Sequence, residues 1–114
     1  MTDFWEAMTE LAGALEQFRP ALDTRDLNPP GVLILPPVAT FRFADGTWAA
    51  DWTVIAVVPN AGTKEAVTAL SSLVAGVRAA LDGQPLTATP HTLTADGITD
   101  PLPAYQLTWN ARIR

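Results

Sequence analysis

The chain has 114 residues, of which 48% are hydrophobic and 17% charged: enough apolar material for one core and too little length for two, since a domain typically takes roughly 100–200 residues. No run approaches the ~20 consecutive apolar residues of a spanning helix, and a sequence without cysteine has no disulfide, thiolate nucleophile or Cys-type zinc site. Seven Lys+Arg against 12 Asp+Glu leave a net charge of −5 with no basic run, which argues against wrapping nucleic acid, a task that needs several phosphates neutralised.

The start, Thr2-Asp3-Phe4-Trp5-Glu6, is acidic where a secretory signal is basic, so the expectation is a cytoplasmic product, mature as written. From Asp3 to Arg19 the apolar residues Phe4, Trp5, Met8, Leu11, Ala12, Leu15 and Phe18 follow the i, i+3, i+4, i+7 rhythm of a helix with one buried stripe. Asp3 is its N-cap, Glu6 stands at capping-box spacing, and Pro20 stops it. Residues 23–31 are a linker of turn formers ending in Pro29-Pro30-Gly31. Val32 to Leu35 is continuously apolar, as in a strand buried on both faces, and Pro36-Pro37 closes it.

Two runs rich in aromatic and β-branched residues, 39–43 and 47–58, flank Ala44-Asp45-Gly46, a strong hairpin marker. The second arm has Trp48, Ala50, Trp52, Val54, Ala56 and Val58 on one face. Its other face is polar at the start and apolar at the end, which suggests that residues 39–52 project from the domain before the strand enters the core. After a turn at 59–62, Thr63 is positioned to cap a second helix running to Leu81 or Asp82, with Gly83 at the left-handed C-cap. Residues 86–94, interrupted by Pro90, read as an edge or bulged strand. Residues 95–103 form a loop, and 104–113 alternate as a final strand with Tyr105, Leu107, Trp109, Ala111 and Ile113 inward. The expected fold is α+β, a single domain over 1–114: two helices packed on one face of a mostly antiparallel sheet, in the order α-β-β-β-α-β-β.

Few residues carry chemistry. His91, the single histidine, sits in the weak strand with no nucleophile or carboxylate in view and reads as an edge-strand surface residue. Asp96 and Asp100 flank Gly97 but lack the closely spaced oxygen ligands of a calcium loop. Ser71-Ser72 lies mid-helix, and no two groups with opposed protonation roles can be paired. The expectation is therefore no enzyme, no cofactor and no metal. Four tryptophans are more informative: Trp5 and Trp109 read as core, whereas Trp48, next to the hairpin turn, is balanced between core and subunit contact. Phe41, Phe43, Trp48 and Trp52 are the candidate interface residues. Ten prolines stiffen the loops, as suits an assembly component.

In layout the chain resembles the small tail terminator proteins of long-tailed bacteriophages, particularly those of actinobacterial hosts. The resemblance rests on a helix, the loop and strand Asn28-Pro29-Pro30-Gly31-Val32-Leu33-Ile34, a Trp-bearing hairpin arm ending Val57-Val58-Pro59-Asn60, an Ala-rich helix and a closing Leu102-Pro103-Ala104-Tyr105 strand, with Lys64 the single lysine. It implies a virion protein, made in the host cytoplasm, that forms a ring, commonly a hexamer, on the head-proximal end of the tail tube. Such a ring stops tube polymerisation and docks the head connector or completion protein. It meets DNA only in passage and no membrane. Six copies at −5 would carry about −30 on the ring, repulsive to phosphate where it faces a lumen, with Asp45, Asp96 and Asp100 as candidate lumen-facing acids. Two other readings remain: a different neck or connector component, or a small α+β module binding a ligand or peptide in a pocket lined by Trp48 and Trp52.

Overall fold

The computed structural model describes residues 2–41, 44–60, 62–94 and 101–113. Helix α1 spans Phe4–Ala14, with the Asp3 carboxylate accepting the Glu6 N–H at 2.7 Å as the cap spacing predicts. The helix ends earlier than its apolar rhythm suggested. A one-turn 3-10 segment, Glu16–Phe18, follows, and Arg19 sits in the left-handed region at φ 50. Pro20 disfavours the right-handed α conformation at the residue before it, so the helical path cannot reach Arg19.

Pro20–Ala21 then forms a two-residue strand, β1, parallel to β2 (Gly31–Ile34). This short strand was not anticipated, and it makes the sheet mixed. Between the two, a 3-10 turn at Thr24–Asp26 is capped by the Asp23 carboxylate, which accepts the Arg25 N–H. β3 (Val38–Thr40) and β4 (Trp48–Val57) follow, then α2 (Thr63–Ala80), β5 (Thr87–Leu93) and β6 (Leu102–Ile113). The sheet order is β1-β2-β4-β6-β5, with β3 also paired to β4. The two helices and the α+β class agree with the sequence reading.

The long arm does not project. β4 is central and pairs with β6 along its whole length, from Trp48 opposite Ile113 to Val57 opposite Ala104. Its even-numbered residues share the main core with Met8 and Leu11 of α1, Leu15 at its C-cap, and Leu70 and Val77 of α2, so both helices cover one face. On the reverse face Ile55 and Val57 join Ala21, Leu33, Leu93 and Ala104 in a second, smaller cluster, against which Leu27 of the linker packs. The polar start and apolar end of that face thus mark where the cover begins.

Pro36 and Pro37 do more than end a strand. Gly31–Ile34 pair with Val54–Val57, and the Leu35 N–H donates to the Thr53 carbonyl at 3.1 Å. Val38–Thr40 pair with Ala49–Asp51 one residue out of that register. The two prolines therefore oppose Trp52 alone, a β-bulge of two residues against one. A bulge reverses which residues face the core: Val32 and Ile34 do so before it, and Ala39 after it.

α2 begins one residue earlier in its capping than expected, since Gly62 at φ 102 is the N-cap and Thr63 is the first helical residue. Its end is a Schellman motif. The Gly83 N–H donates to the Arg78 carbonyl at 2.8 Å and the Asp82 N–H to the Ala79 carbonyl at 3.1 Å. The left-handed residue directly after the cap is Asp82, at φ 60, and Gly83 follows at φ 70. An L side chain is strained there, so Asp82→Gly is expected to stabilise the fold by about 0.5–1 kcal/mol. The urea midpoint should rise at unchanged m-value.

Candidate functional site

An aromatic cluster gathers where the start of α1 meets the far end of the sheet. The Phe4 ring lies 5.2 Å from the Trp48 ring, edge to face, and 6.4 Å from the Phe41 ring, which is 6.1 Å from Trp48. These are favourable aromatic separations. The bulge makes the cluster possible, because without the extra residue Phe41 would fall on the reverse face. Trp48 is 0% exposed, and its indole N–H donates to the Thr2 carbonyl at 3.1 Å, which ties the N-terminus over it.

The surface of this cluster is apolar and open. Phe4 is 46% exposed, Phe41 59% and Trp5 63%. Trp5 was expected in the core and is instead the most exposed indole described. Its i+4, i+7 and i+11 neighbours are Thr9, Ala12 and Glu16, whereas the buried stripe runs through Met8, Leu11 and Leu15. Adjacent helical residues point about 100° apart, and Phe4, one turn before Met8, continues that stripe while Trp5 is turned towards its edge.

Of the other candidate interface residues, Trp52 is 3% exposed and stacks on Trp109, directly opposite it on β6, at 6.5 Å and 29°. Trp48 and Trp52 therefore present almost no surface in the folded chain, and a contact with another chain could involve them only from beneath. Phe43 lies outside the described residues.

Asp45 is exposed but engaged. One carboxylate oxygen accepts the Thr47 N–H at 3.1 Å and the Thr47 hydroxyl at 2.7 Å, and the other accepts from the Arg112 guanidinium at 3.0 Å. The Thr47 bonds first, and Arg112 after them, hold its carboxyl below the ordinary aspartate value. Its charge is thus locally balanced, which weakens it as a lone lumen acid. Asp96 and Asp100 lie outside the described residues. His91 stands exposed on edge strand β5.

Two concavities among the described residues bear on the candidate residues or on α2. A depression of about 360 Å³ on the reverse face includes Trp52, Asp51 and Asn110, whose side-chain amide donates to the Asp51 carboxylate at 2.8 Å. Trp48 does not line it. A cleft of about 310 Å³ opens between α2 and β5, with walls of Leu70, Val74, Ala75 and Ala88, a floor of Tyr105, and Arg78 as its one charged lining residue. No sequence signal pointed to this cleft, since its walls come from two elements that meet only in the fold.

The sheet edges are blunted by proline. β5 carries Pro90 opposite Tyr105, β1 is two residues long and begins at Pro20, and β3 follows Pro36-Pro37. Proline cannot donate to a ladder, so strand addition at these edges is discouraged. Among the described residues no three His, Asp or Glu side chains converge to hold a metal, and no helix is long and apolar enough to cross a membrane. No protein-family model matches the chain, and no curated protein matches it.

Proposed function

We propose that this is a structural virion protein which assembles into a ring at the head-proximal end of a phage tail tube, ends tube polymerisation and joins tail to head connector. The observation that carries the self-assembly part is the exposed aromatic surface of Phe4 and Phe41, whose rings lie 6.4 Å apart, with exposed Trp5 next to Phe4 on α1. Clustered aromatics of this kind are typical of interface cores and costly to leave in water. The proline-blunted edges support contacts made through side chains rather than through a shared sheet. The placement on a tail tube rests on the resemblance in layout, and the net charge of −5 is compatible with a channel that passes DNA.

The test is reconstitution with a phage tail-tube protein from the genome that encodes this chain. Electron microscopy should show annular particles at one end of the tubes, and addition of the chain during assembly should arrest elongation. A chain that neither caps tubes nor alters their length would overturn the reading.

A further inference from the structure

The exposed Trp5 lies between Phe4 and Glu6, in the turn that Asp3 caps, so the start of α1 presents an aromatic knob with two carboxylates within two residues of it. The α2/β5 cleft is its chemical converse: apolar walls, room for one indole ring, and Arg78 at the rim. In a chain with 12 acids and seven Lys+Arg, a contact between copies is favoured where unlike charges meet. Knob and cleft satisfy that condition.

They cannot satisfy it within one chain. Trp48, which packs against Phe4 next to the knob, pairs at one end of β4 with Ile113, whereas Tyr105, the cleft floor, pairs with Ala56 near the other end. Eight residues of strand separate these positions by roughly 26 Å at ~3.3 Å per residue. We infer that the α2/β5 cleft is the docking site for Trp5 of a second copy of this chain, with Glu6 and Asp3 of that copy set against Arg78. The contact is head to tail: one copy offers its knob to the next and keeps its own cleft for a third. Heterologous contacts of this kind close into rings when the rotation permits. The inference rests on the ring-forming reading and names the surfaces that would make it.

Sedimentation velocity on the full chain tests it. Trp5→Ser removes the knob and keeps the cleft, and Ala75→Glu fills the cleft with a repelling charge and keeps the knob. Each is expected to weaken self-association at least tenfold, as loss of a buried tryptophan anchor does, with an unchanged circular-dichroism melt because both positions are exposed. Mixed together, the two variants should form two-chain complexes and nothing larger, since one competent knob meets one competent cleft. The exchange Glu6→Arg with Arg78→Glu should recover association that Arg78→Glu alone loses. A wild-type chain that stays monomeric at its highest soluble concentration, variants that associate as wild type does, or a mixture that stays monomeric would each overturn the contact. The two readings fail separately. Tubes capped equally by wild type and both variants would sink this contact and leave the ring. Uncapped tubes, with free chains still associating through Trp5 and Ala75, would do the reverse.

Discussion

Trp48→Ala is expected to lower the stability of the folded chain by about 3–5 kcal/mol, the range for truncating a fully buried large aromatic. The indole is 0% exposed, carries Phe4 and Phe41 on its faces and edge, and binds the Thr2 carbonyl through its N–H. Its removal opens a cavity below the aromatic surface and frees the residues that precede α1. Urea unfolding monitored by circular dichroism reads the loss directly. Trp5→Ala, at a 63% exposed position four residues from Thr9 on the outer side of α1, should change stability by less than about 1 kcal/mol. A Trp48→Ala chain that melts like wild type but no longer associates would place the indole in the interface instead.

Gly31→Ala is expected to cost about 1–3 kcal/mol, although alanine has the better strand preference. A Cβ at Gly31 would stand 3.0 Å from the Asn28 carbonyl oxygen and 3.1 Å from the Arg19 carbonyl oxygen. Both obstacles are backbone, so relief requires movement of the linker against β2 rather than a rotamer change. Arg19 is itself held at φ 50 before Pro20, which leaves it little room to yield. Chemical denaturation should show a lower midpoint with unchanged m-value, and an alanine variant as stable as wild type would mean that the linker shifts freely.

Much of this architecture is legible in the residues because it is local. The cap at Asp3, the stripe through Met8, Leu11 and Leu15, the doubly buried run Val32–Ile34, the edge character of the Pro90 strand and the inward set Tyr105, Leu107 and Trp109 each follow from a period or a backbone restriction that acts within a few residues. Helix ends were less legible. Arg19 is excluded from α1 by the proline after it, and the choice of Gly62 over Thr63 as N-cap depends on a positive φ that sequence pattern does not report.

The candidate site was legible only in part. Phe41 is a candidate interface residue in the sequence and is exposed, whereas Trp48, balanced there between core and subunit contact, and Trp52, a candidate for the interface, are buried, and Trp5, counted in the apolar stripe, is exposed. Depth beneath a surface depends on what packs above it. Here α1 lies over the end of β4, so the Phe4 ring and the Thr2 carbonyl take the place of water at Trp48. The outward direction of Trp5 follows from helical geometry, since its i+4 and i+11 neighbours, Thr9 and Glu16, are polar and exposed.

By itself the sequence determined the composition limits, the two helices, the α+β class and the strands that alternate, because hydrophobic period and proline geometry are properties of short segments. Only the tertiary structure decided the rest. The one-residue slip at Pro36-Pro37 turns Phe41 to the helix face, the pairing of β4 with β6 buries Trp48, and the meeting of α2 with β5 opens an apolar cleft beside Arg78. Each of these depends on register between segments far apart in the chain, and a shift of one residue would exchange every inward side chain for an outward one.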